Sequence, residues 1–126
     1  MDNEPRGDGM SVRRIVANVA AGSVPEVQAF YTELFDLDLL MDLGWIVTLG
    51  SDLTAKTQLS IMSEGGSGAP VPDLSVEVDD VDAVYARAAR MGCDIVYDLR
   101  DEAWGVRRFF VADPTGKLIN ILSHLA

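Results

Sequence analysis

The chain holds a single cysteine, Cys93, and a single histidine, His124. One cysteine excludes an internal disulfide, and without a paired histidine motif Cys93 reads as an ordinary half-buried residue rather than a nucleophile. Cations are scarce as well: ten Lys and Arg stand against twenty Asp and Glu, for a formal net charge of -10. Nucleic-acid binding needs clustered cations on phosphate, so that class is excluded, and neutral or cationic ligands are favoured. The charge divides evenly, nine acids and four bases over residues 1–63 against eleven and six over 64–126, so there is no acidic tail. No apolar run approaches the ~20 residues of a membrane span, and Met1 to Ser11 is polar with no apolar signal region. A soluble, cytoplasmic protein with no membrane partner is the expectation.

What is present is enough apolar material for one core: 126 residues, 48% of them hydrophobic. One domain over 12–126 is expected, preceded by a disordered leader over 1–11. Val12 to Ala20 suits a strand. Ser23, Pro25 and Glu26 then read as a helix start with a capping box, and Val27, Phe30, Tyr31 and Leu34 recur at helical spacing to about Phe35. Strands are expected at Asp38 to Asp42, Trp45 to Gly50 and Thr57 to Met62. Ser63 to Pro72, rich in glycine, serine and proline, reads as a flexible linker. The same order then recurs: a strand at Leu74 to Val78, a helix capped by Asp80 and stopped at Gly92, and strands at Cys93 to Leu99, Val106 to Ala112 and Lys117 to His124. The modules 12–63 and 73–125, joined by 64–72, form a repeat of topology with little residue identity.

Alternation along the strands assigns faces. Leu59 and Ile61 share one side and Gln58 and Ser60 the other; Leu74, Val76 and Val78 oppose Asp73, Ser75 and Glu77. On periodicity alone the polar side is either solvent or the wall of a cleft. The last strand puts Leu118, Asn120 and Leu122 on one mostly apolar face, as a ligand pocket would.

The doubled strand-helix-three-strand order, Phe30-Tyr31 in the first helix, Val78-Asp79-Asp80-Val81 opening the second, Trp104-Gly105-Val106-Arg107, and Asp113-Pro114-Thr115-Gly116 before the last strand together resemble the vicinal oxygen chelate superfamily. That group contains glyoxalase I, extradiol dioxygenases, fosfomycin-resistance enzymes and bleomycin-resistance binding proteins. The resemblance spans Val12 to Ser123. It implies an α+β fold of two βαβββ modules forming a rolled mixed sheet with a concave cleft, helices on the outer face, and a homodimer.

In metal-dependent members of the group, each module supplies ligands from its first and last strands, typically His or Glu, to a divalent ion that polarises the substrate. Carried onto this chain by motif, those positions are Val16, Gln58, Asp73 and Asn120. Valine cannot coordinate, amide oxygens are weak donors, and one carboxylate is too little for a catalytic ion. His124, four residues past the last position, reads as an exposed terminal residue. No catalytic residue, metal ligand or cofactor is therefore assigned.

The resemblance is then closest to the metal-free bleomycin-resistance type: a small-molecule binding protein whose cleft suits sequestration of an aromatic or cationic natural product. Candidate ligand-binding residues are Val16, Asn18, Gln58, Asp73, Ser75, Trp104, Arg107 and Asn120. Trp104 reads equally as packing, Trp45 more readily so, and alternation allows only one of Arg107 and Arg108 to face the cleft. The alternative is a metal-dependent lyase, isomerase or dioxygenase of the same superfamily with an atypical ligand set.

Overall fold

A computed structural model of the chain describes residues 11–51 and 57–126. The leader expected over 1–11 lies outside them except for Ser11, as does most of the expected turn from Gly50 to Lys56. Among the described residues the order is β1 (Val12–Ala20), α1 (Val24–Phe35), β2 (Asp38–Asp42), β3 (Ile46–Ser51), β4 (Thr57–Met62), β5 (Leu74–Val78), α2 (Val81–Arg90), β6 (Asp94–Asp101), β7 (Val106–Ala112) and β8 (Leu118–His124). The fold is α+β, and the strand-helix-three-strand order occurs twice. Two compact units carry it: Val16–Asp73, and Leu74–Ala126 joined by residues 11–15.

In the first unit the strands run in the order β2-β3-β4-β1, with β4 parallel to β1 and the other pairs antiparallel. Alternation decides the core. Val47, Leu49 and Ile61 point to α1 and pack with Val24, Val27 and Tyr31, whereas Thr48 and Ser60 take the opposite face, where their hydroxyls meet at 2.8 Å. Pro25 occupies the first turn of α1, but the expected capping box is absent: Ser23 has the extended cap backbone while its side chain makes no cap bond. Burial of Val24 instead seats the helix start. The edge strand β2 is exposed throughout, with Leu39, Leu40 and Met41 between Asp38 and Asp42.

Residues 64–72 carry no helix or strand, as expected of a linker, yet they are tied down. The Gly65 N–H donates to the Ala69 carbonyl (2.7 Å), the Ala69 N–H to the Gly66 carbonyl (2.9 Å) and the Gly68 N–H to Glu64 Oε1 (2.8 Å). Gly65 is buried, and a Cβ there would fall 2.1 Å from the Pro70 carbonyl oxygen. Glycine is the only residue the loop accommodates at that point.

In the second unit the order is β5-β8-β7-β6, with β5 parallel to β8. Val76, Val78, Phe109 and Ile121 face α2 and pack with Val81, Val84, Tyr85 and Ala88. The helix start is fastened twice: Asp80 accepts from the Ala83 N–H (3.2 Å), as its cap position predicts, and the Val81 N–H donates to Ser123 Oγ (3.0 Å), which itself donates to the Val78 carbonyl. The helix stops before Gly92, whose φ is 70°.

The β6–β7 hairpin is held by a buried ion pair. Arg108 is 2% exposed; its Nη2 lies 2.6 Å from Glu102 Oε2, and its guanidinium sits over Trp104 (4.8 Å), Phe110 (4.8 Å) and Tyr97 (5.0 Å). Glu102 also accepts from the Tyr97 hydroxyl at 2.8 Å and pairs with Arg100 at 2.9 Å. Its Oε2 is thus hydrogen-bonded despite burial, whereas the equally buried Oε1 meets Arg100 only as an ion pair and has no hydrogen-bond partner among the described residues. At the β7–β8 turn, Asp113 Oδ1 accepts from the Thr115 hydroxyl (2.7 Å), the Thr115 N–H (2.8 Å) and the Lys117 N–H (2.9 Å), while Gly116 takes φ 87°.

Three outcomes are expected from this architecture. Gly65→Ala lowers stability by about 2 kcal/mol or more, as overpacking against backbone does, while Gly22→Ala, with nothing within 4 Å of its new Cβ, leaves the urea midpoint near the parent's. Arg108→Met destabilises by about 3 kcal/mol because it strands the Glu102 charge, and adding Glu102→Gln recovers part of that loss in a double-mutant cycle. The third concerns pH. The Thr115 hydroxyl, followed by the Lys117 N–H, holds the Asp113 carboxyl below the usual carboxylate range. The folded protein binds that proton more weakly than the unfolded chain, so its stabilisation is complete above the unfolded value of about 4 and is lost as pH falls through the folded one. Asp113→Asn is therefore less stable than the parent at neutral pH, and the gap in denaturation midpoint closes on acidification.

Candidate functional site

The side of each sheet away from its helix carries the candidate residues. In the first unit, Val16 and Asn18 lie on β1, and Asn18 pairs in register with Ser60, which pairs with Thr48. Val16 is 4% exposed and apolar, a packed wall rather than a contact for polar groups. Gln58 lies on the same side of β4 as Ser60, two register pairs further along, beside Gly50. Asp73 is exposed just before β5, where its carbonyl accepts from the Asn18 N–H at 3.1 Å.

In the second unit, Ser75 pairs in register with Asn120, and Asn120 with Phe110. The two units therefore repeat one pattern, first strand to last to third: Asn18, Ser60 and Thr48 in one, Ser75, Asn120 and Phe110 in the other. By that register Ser60, rather than Gln58, is the counterpart of Asn120. Asn120 is 7% exposed, and its Nδ2 donates to Ser75 Oγ at 3.1 Å. Its Oδ1 is buried with no hydrogen-bond partner among the described residues. A buried amide acceptor left unpaired costs about 1–3 kcal/mol, which a donor arriving from outside would relieve.

Other groups share this face of the second unit and were not singled out from the sequence. Glu77, next but one after Ser75, has its side chain 16% exposed; its Oε1 lies 2.9 Å from Arg14 Nε and 3.6 Å from His124 Nε2. The signal for it was already in the alternation of β5, which placed Glu77 with Ser75 and away from Val76 and Val78. His124 is exposed at the end of β8, as expected, with its Nε2 near the Glu77 carboxylate.

Arg107 departs from its expected place. Its guanidinium reaches Asp82 of α2 (3.1 Å) and Asp101 of β6 (3.0 Å), on the helix-covered side, and these carboxylates raise its pKa further. The residue that takes the other side is Arg108, already committed to Glu102. Trp104 is half-buried with its ring against Arg108, so its indole serves packing in this arrangement. Trp45 is likewise half-buried, and its carbonyl accepts from the Ser63 N–H at 2.9 Å.

The divalent ion that the resemblance implies does not fit these side chains. Val16 offers hydrocarbon, Asn120 offers one neutral amide oxygen, a weak donor, and among the described residues no three of His, Cys, Asp and Glu gather as an ion would require. What remains is a hydrogen-bonding face with one buried acceptor, Asn120 Oδ1, and the Arg14–Glu77 ion pair on the same face.

Among the described residues no helix is long and apolar enough to cross a membrane. The chain is 34% identical over 73 residues to an uncharacterized protein of Mycobacterium bovis, a match covering 58% of this chain and 48% of that one, so it spans about half the length of that relative. In three dimensions it resembles the methylmalonyl-CoA epimerase of Streptomyces coelicolor, solved with 2-nitronate-propionyl-CoA, at TM-score 0.68 and 19% identity, covering 92% of this chain and 100% of that one. It also resembles a glyoxalase/bleomycin resistance protein/dioxygenase superfamily member from Vibrio splendidus, at TM-score 0.64 and 17% identity, covering 90% and 99%. Identities this low speak to fold alone. The sequence profile of the Glyoxalase/Bleomycin resistance protein/Dioxygenase superfamily matches residues 14–121, and the chain belongs to that superfamily.

Proposed function

We propose that this chain is a metal-free small-molecule binding protein, taking up an aromatic or cationic organic compound on the helix-free face of its sheets and working as a homodimer. The single observation that carries the reading is the Asn120 carbonyl, buried and unpaired among the described residues. An acceptor of that kind selects a ligand with an N–H or O–H donor. The net charge of -10 favours a positive charge on that ligand. Sequestration of a natural product is the use such a site suits.

A second reading, a lyase, isomerase or dioxygenase of the same superfamily, draws on the Glu77–His124 pair, a carboxylate and an imidazole suited to moving a proton. The two readings part in one set of measurements on protein purified without chelator. Binding alone predicts metal content far below one equivalent per chain, a rise in Tm with aromatic amines, and none with Mn²⁺, Ni²⁺ or Zn²⁺. Asn120→Leu then weakens amine binding by about tenfold in calorimetry. Stoichiometric metal together with thermal stabilisation by divalent ions would overturn it.

A further inference from the structure

The helix side of the second unit holds a feature that the proposed ligand face does not use. Between α2 and the sheet lies an open cavity of about 210 Å³. Its floor is Val76, Ile119 and Ile121, and Val12 of β1 and Val84 of α2 form its sides. Arg87 is the one charged residue of the lining, and among the described residues its guanidinium has no hydrogen-bond or carboxylate partner. Val12 stays 56% exposed at the rim. The cause is in the elements themselves: α2 has ten residues, too few to cover the whole apolar side of β5 and β8.

We propose that this cavity is a binding site for an amphiphilic monocarboxylate, its aliphatic tail on the valine and isoleucine floor and its carboxylate on Arg87. Charge complementarity selects the head group. Every other lining residue is apolar, so a neutral alkane would leave the guanidinium unused and an alkylammonium would face like charge. Size selects the tail. The cavity is smaller than the roughly 300 Å³ at which pockets for drug-sized ligands begin. At ~30 Å³ for each water-sized unit it takes a tail of about seven such units. The overall acidity of the chain does not forbid the anion, because charges more than about 8 Å away are screened at physiological ionic strength. Arg90 adds a second cation to the last turn of the same helix. The site is on the opposite side of the sheet from Ser75, Glu77 and Asn120, so it stands or falls separately from the binding function proposed above.

The test uses octanoate as probe, with octanol and octylammonium as controls, on the full chain by calorimetry and amide chemical-shift mapping. Octanoate is expected to bind saturably at one per chain, to shift the amides of Val76 and Ile119, and to weaken roughly fourfold for each methylene removed from the tail. Arg87→Gln is expected to weaken octanoate by about tenfold and to leave octanol unchanged. Val12→Trp, an exposed position where an indole would lie across the opening, is expected to abolish binding; if that variant fails to fold, the shift map on the parent decides the location. Asn120→Leu leaves octanoate affinity unchanged. Absence of saturable binding, affinity indifferent to Arg87→Gln, or shifts confined to the helix-free face would each overturn the proposal. So would light scattering that shows a dimer dispersed by Val12→Trp, since a second copy of the chain would then occupy the groove.

Discussion

A side chain on a β-strand faces one of two ways, and its neighbours in sequence face the other. That constraint organises both units. Because Val47, Leu49 and Ile61 must meet α1, Thr48 and Ser60 are turned away from it; because Val76, Phe109 and Ile121 must meet α2, Ser75, Arg108 and Asn120 are turned away likewise. The polar face is thus the complement of the core. Moving any of these strands by one residue in register would exchange the two.

Much of this was legible because period two is written plainly in β4 and β5, and helix signals such as Asp80 and Gly92 are local. The strand bounds and the doubled topology followed from the same signals. What was not legible depended on partners distant in sequence. Ser23 satisfies every local rule for a cap, yet its hydroxyl forms no cap bond, so the cap pattern gave the position of the helix start and not its chemistry. Arg107 and Arg108 are adjacent arginines with opposite fates, fixed by Asp82 and Asp101 on one side and by Glu102 with three aromatic rings on the other. Composition made 64–72 a linker, whereas the close approach of Pro70 to Gly65 makes it a fastened loop.

The candidate site was read in part. Ser75 and Asn120, placed from alternation and motif, are hydrogen-bonded partners, although they are 45 residues apart in sequence. Glu77 was assigned to the right face but not to a role, since nothing local announces that Arg14 and His124 converge on it. Counting from sequence motifs selected Gln58, whereas strand register makes Ser60 the counterpart of Asn120. Motif spacing cannot register a strand against its neighbour; the hydrogen-bond ladder does.

The edge strand β2 has one more implication. Leu39, Leu40 and Met41 stand exposed on a strand paired on one side alone, with β3, and Asp38 and Asp42 bracket them. If two copies met edge to edge about Leu40 in antiparallel register, each Asp38 would oppose an Asp42 of the other copy, bringing like charges together at both ends. Such a pairing is disfavoured by that repulsion, the arrangement by which charged residues flanking an apolar edge oppose edge-to-edge association. That guard is electrostatic, and it weakens wherever salt screens the carboxylates or acid neutralises them.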